Sequence, residues 1–208
     1  MRVNKIVFAS WNPKKLEELK RMAQNNVEII CLKDIPEIKG IPQAEENGET
    51  FLQNAKIKAM YWKEKVSFPV LAEDSGIMID SLNGYPGVYT KRWIQELYPD
   101  ANININDPNQ VYPLLLKLME QKSNPSKVAY FVSAMALVDN NGVITVQESV
   151  KGEMCKKAGE REFGFDQYFK PDGYSKTFSQ MLPEEKDDLS PRKKAFEKIL
   201  EYLKHVSS

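Results

Sequence analysis

Histidine is nearly missing from this chain: His205 is the only one, and it falls in a segment expected to fray. That makes it a poor catalytic base. Cysteine is scarce as well, with Cys31 and Cys155 the only two. Neither has a neighbouring base or metal-ligand spacing, which argues against thiol catalysis and structural zinc. One disulfide could form, but two cysteines make no disulfide framework, and without a secretion signal free thiols are the simpler expectation. Net charge is absent, since 29 basic residues balance 29 acidic ones. Nothing therefore favours non-specific binding to a nucleic-acid polymer. Long apolar runs are lacking too. The run Ile6 to Ala9 is too short for a signal peptide, and no stretch is expected to span a membrane. A cytoplasmic protein is the default expectation. There is no internal repeat, no low-complexity tract and no GxxxxGK loop, which disfavours a P-loop nucleotidase. Ser75 has no evident triad partners.

What is present is ordinary globular composition, with 42% hydrophobic and 28% charged residues in 208. That length allows one domain with a sizeable core, or two lobes sharing one. The stretch around which the chain is read is Val70-Leu71-Ala72-Glu73-Asp74-Ser75-Gly76. Val70 to Ala72 predict a buried strand, and Glu73 and Asp74 stand where that strand is expected to leave the core. Carboxylates at strand ends in α/β proteins commonly face a ligand crevice. Neighbours on a strand point to opposite faces, so only one of the two faces a ligand unless the strand bends. The plain alternative is a strand end followed by a Ser-Gly turn.

Lys5 to Ala9 predict a first strand. Asn12 suits a helix N-cap and Pro13 the first helical position. Lys14 and Lys15 then lie in the first turn, where the dipole disfavours cations. A phosphate bound at the helix start resolves that conflict; a solvated lysine pair is the alternative. Val27 to Leu32 predict a second strand. Lys33 to Gly48 reads as a loop carrying Glu45 and Glu46, and loops of that length are more often functional than accidental. Thr50 opens a helix interrupted by Asn54, Lys56 and Lys58. Lys58 is placed either at a polar cleft or on the surface.

Val88 to Leu97 predicts a helix beginning near Lys91, and Val111 to Met119 another. Period-two alternation over Lys127 to Val138, a turn at Asn140 to Gly142 and a return over Val143 to Val150 predict a long antiparallel ribbon. In Phe163-Gly164-Phe165-Asp166, a glycine between aromatics allows close backbone approach to a flat ligand; two core phenylalanines in a turn are the alternative. The charge run Glu184 to Asp188 reads as a solvated face. Ser190 suits an N-cap, with Pro191 and Arg192 following. Arg192, like Lys15, opposes a helix dipole, and two such cations suggest a shared anionic ligand. The remaining inventory points to metal-assisted phosphoryl chemistry. Carboxylates such as Asp74 and Glu46 suit magnesium, and Lys15, Lys186 and Arg192 suit phosphate oxygens.

Those residues resemble, nearly end to end, the inosine/xanthosine triphosphate pyrophosphatase family, also called Ham1-like. The resemblance runs through Ser10, Asn12 and Lys15, then Glu46 with Thr50, Phe51, Asn54, Ala55 and Lys58. Glu73-Asp74-Ser75-Gly76 precedes Leu82, Gly84, Pro86, Gly87 and Tyr89. Phe163-Gly164-Phe165-Asp166, Gly173, Thr177, Lys186 and Ser190-Pro191-Arg192 complete it.

The resemblance implies a single domain over residues 1–208, an elongated α/β architecture with a long mixed sheet, flanking helices and two lobes around a central cleft. It implies magnesium-dependent hydrolysis of inosine, deoxyinosine and xanthosine triphosphates to a monophosphate and pyrophosphate, usually by a homodimer. It places Glu46 and Asp74 on magnesium, and gives Asp74 or Glu73 the attacking water. Ser10, Asn12, Lys15 and Ser75 contact the substrate, and Lys58 supports the phosphate side. Phe163 stacks on the purine, Phe165 and Asp166 shape the nucleoside end, and Lys186 and Arg192 approach the base. Where the family carries histidine in Ser-His-Arg, this chain has Pro191, so altered base selectivity is an expected alternative. A binding protein without turnover is a further one.

Overall fold

The computed structural model describes residues 5–24, 26–90, 92–100, 102–104, 107–123, 125–161 and 164–205. Its centre is one mixed six-stranded sheet in the order β2-β1-β3-β4-β5-β6, flanked by helices. The strands are β1 (Lys5–Phe8), β2 (Glu28–Cys31), β3 (Val70–Ile79), β4 (Val128–Val138), β5 (Val143–Met154) and β6 (Phe169–Pro171). β1 runs parallel to both β2 and β3, and β5 pairs antiparallel with β6. The helices are α1 (Pro13–Ala23), α2 (Phe51–Lys63), α3 (Trp93–Leu97), α4 (Pro108–Glu120), α5 (Pro183–Leu189) and α6 (Pro191–His205). No described helix is long and apolar enough to cross a membrane.

The chain divides into two compact units, one of residues 1–74, 133–148 and 189–208, the other of 75–132 and 149–188. The first holds an apolar core in which Phe8 and Leu71 of neighbouring strands meet Leu19 of α1 and Phe196 and Ile199 of α6. Burial of such side chains contributes roughly 1.5–3 kcal/mol each. The second unit holds its own aromatic core, with Phe131, Phe169 and Phe178 in mutual ring contact and Phe165 stacked on Tyr112.

Local signals act as expected at the helix starts. The Asn12 side chain accepts from the amides of Lys14 and Lys15. Thr50 and Gln53 form a reciprocal capping box on α2. Ser190 Oγ accepts from the Arg192 amide at 3.2 Å. The turn after β4 is closed by Asp139, whose Oδ1 accepts from the amides of Asn141 and Gly142.

The structure differs from the sequence expectations, or chooses between them, at several elements. β3 runs unbroken from Val70 to Ile79, without the turn expected at Ser75-Gly76, because Ile77 and Ile79 have buried sites to fill. The ribbon's return strand extends to Met154, where β6 supplies a partner. The helix expected from near Lys91 begins at Trp93, Lys91 itself lying outside the described residues, and α4 starts earlier than expected, at Pro108. The Glu184 to Asp188 charge run is no solvated face throughout: α5 buries Lys186 and Asp187 while Glu184 stays exposed. Of the lysine pair in α1, Lys14 is exposed and Lys15 buried.

Candidate active site

The continuation of β3 through Glu73 and Asp74 decides what each carboxylate does. Strand pleating sends adjacent side chains to opposite faces. Glu73 turns inward and is 2% exposed, whereas Asp74 is half-buried.

Glu73 meets two cations and a hydroxyl. Arg192 Nε donates to both of its oxygens at 3.0 Å, Ser133 Oγ donates at 2.9 Å, and Lys15 Nζ lies 3.4 Å away. Arg192 Nη1 also donates to Glu18 of α1. Burial pushes the Glu73 carboxyl up, but the charges of Arg192 and Lys15 and the hydrogen bonds outweigh it and hold the group well below the usual carboxylate range. Burial likewise pulls Arg192 down, and Glu73 and Glu18 more than restore it, leaving its pKa raised. Lys15 and Arg192 are the cations that sit against the dipoles of α1 and α6. Each is paired with the same internal carboxylate, Glu73.

Asp74 belongs to a second cluster, built on α2 and the preceding loop. Asn54 Nδ2 donates to Asp74 Oδ2 at 3.0 Å, and Asn54 Oδ1 accepts from the Gly48 amide at 2.8 Å. One buried amide thereby ties the loop to the strand. One helical turn on, Lys58 Nζ pairs with Glu46 at 2.9 Å and donates to the Glu73 carbonyl at 3.1 Å. The loop is held again by Tyr61, whose hydroxyl donates to the Pro42 carbonyl at 2.8 Å. Burial raises the Asp74 pKa; Lys58 and Asn54 oppose that rise, Glu46 adds to it, and the net shift is upward. Gly48 is required here, because a Cβ would stand 2.8 Å from Asn54 Oδ1 and 2.7 Å from Gln53 Cβ.

Within the first unit the structure therefore brings together Ser10, Asn12, Lys15, Glu46, Lys58, Glu73, Asp74 and Arg192. Ser10 Oγ accepts from the Asn12 amide at 3.2 Å, which shapes the turn between β1 and α1. Ser75 is half-buried on β3 just after Asp74. In the second unit Lys186 Nζ lies 2.7 Å from Asp166 Oδ2 in a buried ion pair, and Phe165 is a buried core ring. Phe163 lies outside the described residues. The described partners of Arg192 are carboxylates of the protein itself. Sequence reasoning gave no site role to Asn54, Glu18 or Ser133. Asn54 had a signal, since a polar residue four positions before Lys58 shares its helix face. Ser133 and Glu18 had none, because their partners are remote in sequence.

Two hard carboxylates beside a lysine, with a second lysine and a buried guanidinium behind them, make an α/β protein with a polar cluster suited to anionic, metal-bound ligands. Residues 6–202 match the sequence model of the Ham1 family. The chain belongs to that family. It is 33% identical over 204 residues to a dITP/XTP pyrophosphatase of Aquifex aeolicus, covering 97% of each chain. It is 37% identical over 212 residues to a dITP/XTP pyrophosphatase of Nocardia farcinica, covering 98% of this chain and 96% of that one. Among solved structures it is similar to a HAM1 protein from Coxiella burnetii, with a TM-score of 0.82 at 28% identity over 97% of this chain and 98% of that one.

Proposed function

We propose that this chain is a magnesium-dependent nucleoside triphosphate pyrophosphatase. It hydrolyses the bond between the α- and β-phosphates of inosine, deoxyinosine and xanthosine triphosphates, releasing the monophosphate and pyrophosphate. The carrying observation is the Glu46–Lys58–Asp74 cluster held by Asn54. Relatives named dITP/XTP pyrophosphatase support the same reaction.

The donor set fits magnesium. Among the described residues no group of three or more His, Cys, Asp or Glu gathers to hold a metal. Two carboxylates completed by substrate phosphate oxygens and water are what magnesium takes. Glu46 and Asp74 would hold the ion, which when bound supplies Lewis-acid polarisation and a more acidic water. The protein's own groups divide the remaining work. Asp74, half-buried and held by Asn54, is the group suited to orient the water and accept its proton. Glu73 is held ionised and its oxygens are occupied by Arg192 and Ser133, so its part is to position Lys15. Lys15 and Lys58 neutralise phosphate charge. Phe163 stacks on the base and Phe165, Asp166 and Lys186 shape that end, while Arg192 acts by holding Glu73 and Glu18.

A second reading keeps the chemistry and changes the base preference. Pro191 is buried at the first turn of α6 and offers neither a side-chain donor nor an amide. Loss of one discriminating hydrogen bond lowers selectivity by about one to a few kcal/mol. Comparing kcat/KM across inosine, xanthosine, guanosine, adenosine and uridine triphosphates decides between the two. A homodimer in the cytoplasm is the setting we propose, checked by light scattering and fractionation. The reaction itself is tested with purified protein, magnesium and deoxyinosine triphosphate. Pyrophosphate release is expected, and orthophosphate as the sole inorganic product overturns the proposal.

A further inference from the structure

Lys58 is surrounded by oxygens of the kind a divalent ion seeks. Its Nζ lies 2.9 Å from Glu46 Oε2 and 3.1 Å from the Glu73 carbonyl oxygen. Its charge is also the largest influence opposing burial at Asp74. One ammonium thus balances both carboxylates assigned to the metal. A magnesium or manganese ion needs those same oxygens at about 2.0–2.2 Å. At such range an ammonium already on Glu46 repels it strongly, because the cluster is partly shielded from water: the side chains of Lys58 and Glu46 are 14% and 32% exposed. Lys58 is the movable member, being a compact charge on a flexible four-carbon stem. Asn54 holds Asp74 in place whichever cation is present.

We propose that Lys58 is an exchanging cation, which neutralises Glu46 and Asp74 before a divalent ion arrives and passes to a phosphate oxygen of the substrate when the ion takes theirs. The inference rests on the pyrophosphatase reading of this cluster. The exchange adds to the positive coupling between divalent ion and polyphosphate that direct coordination of the ion by phosphate gives. An ion arriving alone must displace the ammonium with no new anion to receive it. An ion arriving with a polyphosphate supplies that anion. By linkage each then strengthens the other's binding equally.

The test is equilibrium dialysis of manganese against the full chain, with and without pyrophosphate, reading the excess metal on the protein side. In the wild type, pyrophosphate is expected to tighten manganese binding by about tenfold or more. Lys58→Met is expected to bind manganese alone about tenfold more tightly than wild type, with a smaller gain from pyrophosphate than the wild type shows. Lys58→Arg keeps the charge and is expected to bind manganese alone as weakly as wild type. If Lys58→Met is unstable, Lys58→Gln carries the same expectation. Wild-type coupling together with a Lys58→Met or Lys58→Gln protein that is folded by circular dichroism and binds manganese no more tightly overturns the exchange alone. No manganese binding to the wild type even with pyrophosphate overturns the exchange and the metal-dependent reading together.

Discussion

Replacing Arg192 by methionine removes the guanidinium that holds two carboxylates in a buried place. Glu73 loses two hydrogen bonds of 3.0 Å from Nε, and Glu18 loses its bond from Nη1. The Glu73 side chain has no solvent exposure, so water cannot replace what is lost. Lys15, at 3.4 Å, and the Ser133 hydroxyl remain, and they only partly balance two neighbouring negative charges. Breaking a buried pair by removing one partner destabilises by roughly 3–5 kcal/mol. For a chain of this size, about 2–4 °C per kcal/mol gives a Tm lowered by roughly 6–20 °C. Urea unfolding followed by circular dichroism should show a lower midpoint at unchanged slope. The double variant Glu73→Gln with Arg192→Met should recover part of the loss, since it removes the stranded charge together with its partner. The pH dependence has a definite sign. Glu73 has a folded pKa below its ordinary value of 4.5, so its contribution is complete above pH 4.5 and is lost as pH falls through the folded value. The gap between wild type and Arg192→Met should therefore shrink in acid. A loss below about 1 kcal/mol at neutral pH, the worth of a surface pair, would refute this account of the network.

Three further outcomes follow from the second cluster. Asp74→Asn should abolish turnover while leaving the Tm within a few degrees, because the isosteric amide still accepts from Asn54; unchanged turnover in steady-state assays contradicts the role given to Asp74. Gly48→Ala should push Asn54 off its amide and lower kcat/KM more than stability, and Asn54→Ala should reproduce the kinetic defect, both read by comparing kinetics with thermal melts. The acid limb of kcat/KM should move to lower pH as magnesium concentration rises, since ion and proton compete for the Asp74 carboxylate; a limb that ignores magnesium counts against Asp74 as a ligand.

Short-range chemistry was legible in the sequence. Asn12, Thr50 and Ser190 each act within three residues of themselves, so their caps follow from neighbours alone. Alternation over Val128 to Val138 and the Asn-Asn-Gly turn likewise declare a strand and its reversal. The motif residues could be assigned to phosphoryl chemistry because hard carboxylates and lysines were the only reactive inventory. Partner identity was another matter. Lys15 and Arg192, two cations set against helix dipoles, implied a common anion, and the sequence suggested a bound phosphate. The tertiary structure places a carboxylate of the chain, Glu73, between them, 119 residues from Arg192 along the sequence. It also supplies Ser133, 60 residues from Glu73. No local pattern encodes such distances; they are closed by packing α1 and α6 on the same sheet. The division of labour between adjacent carboxylates was decided in the same way. Composition offered Glu73 and Asp74 as equivalents, and only the continuation of β3 through them sends one into a sealed ion-pair network and leaves the other half-open beside Lys58.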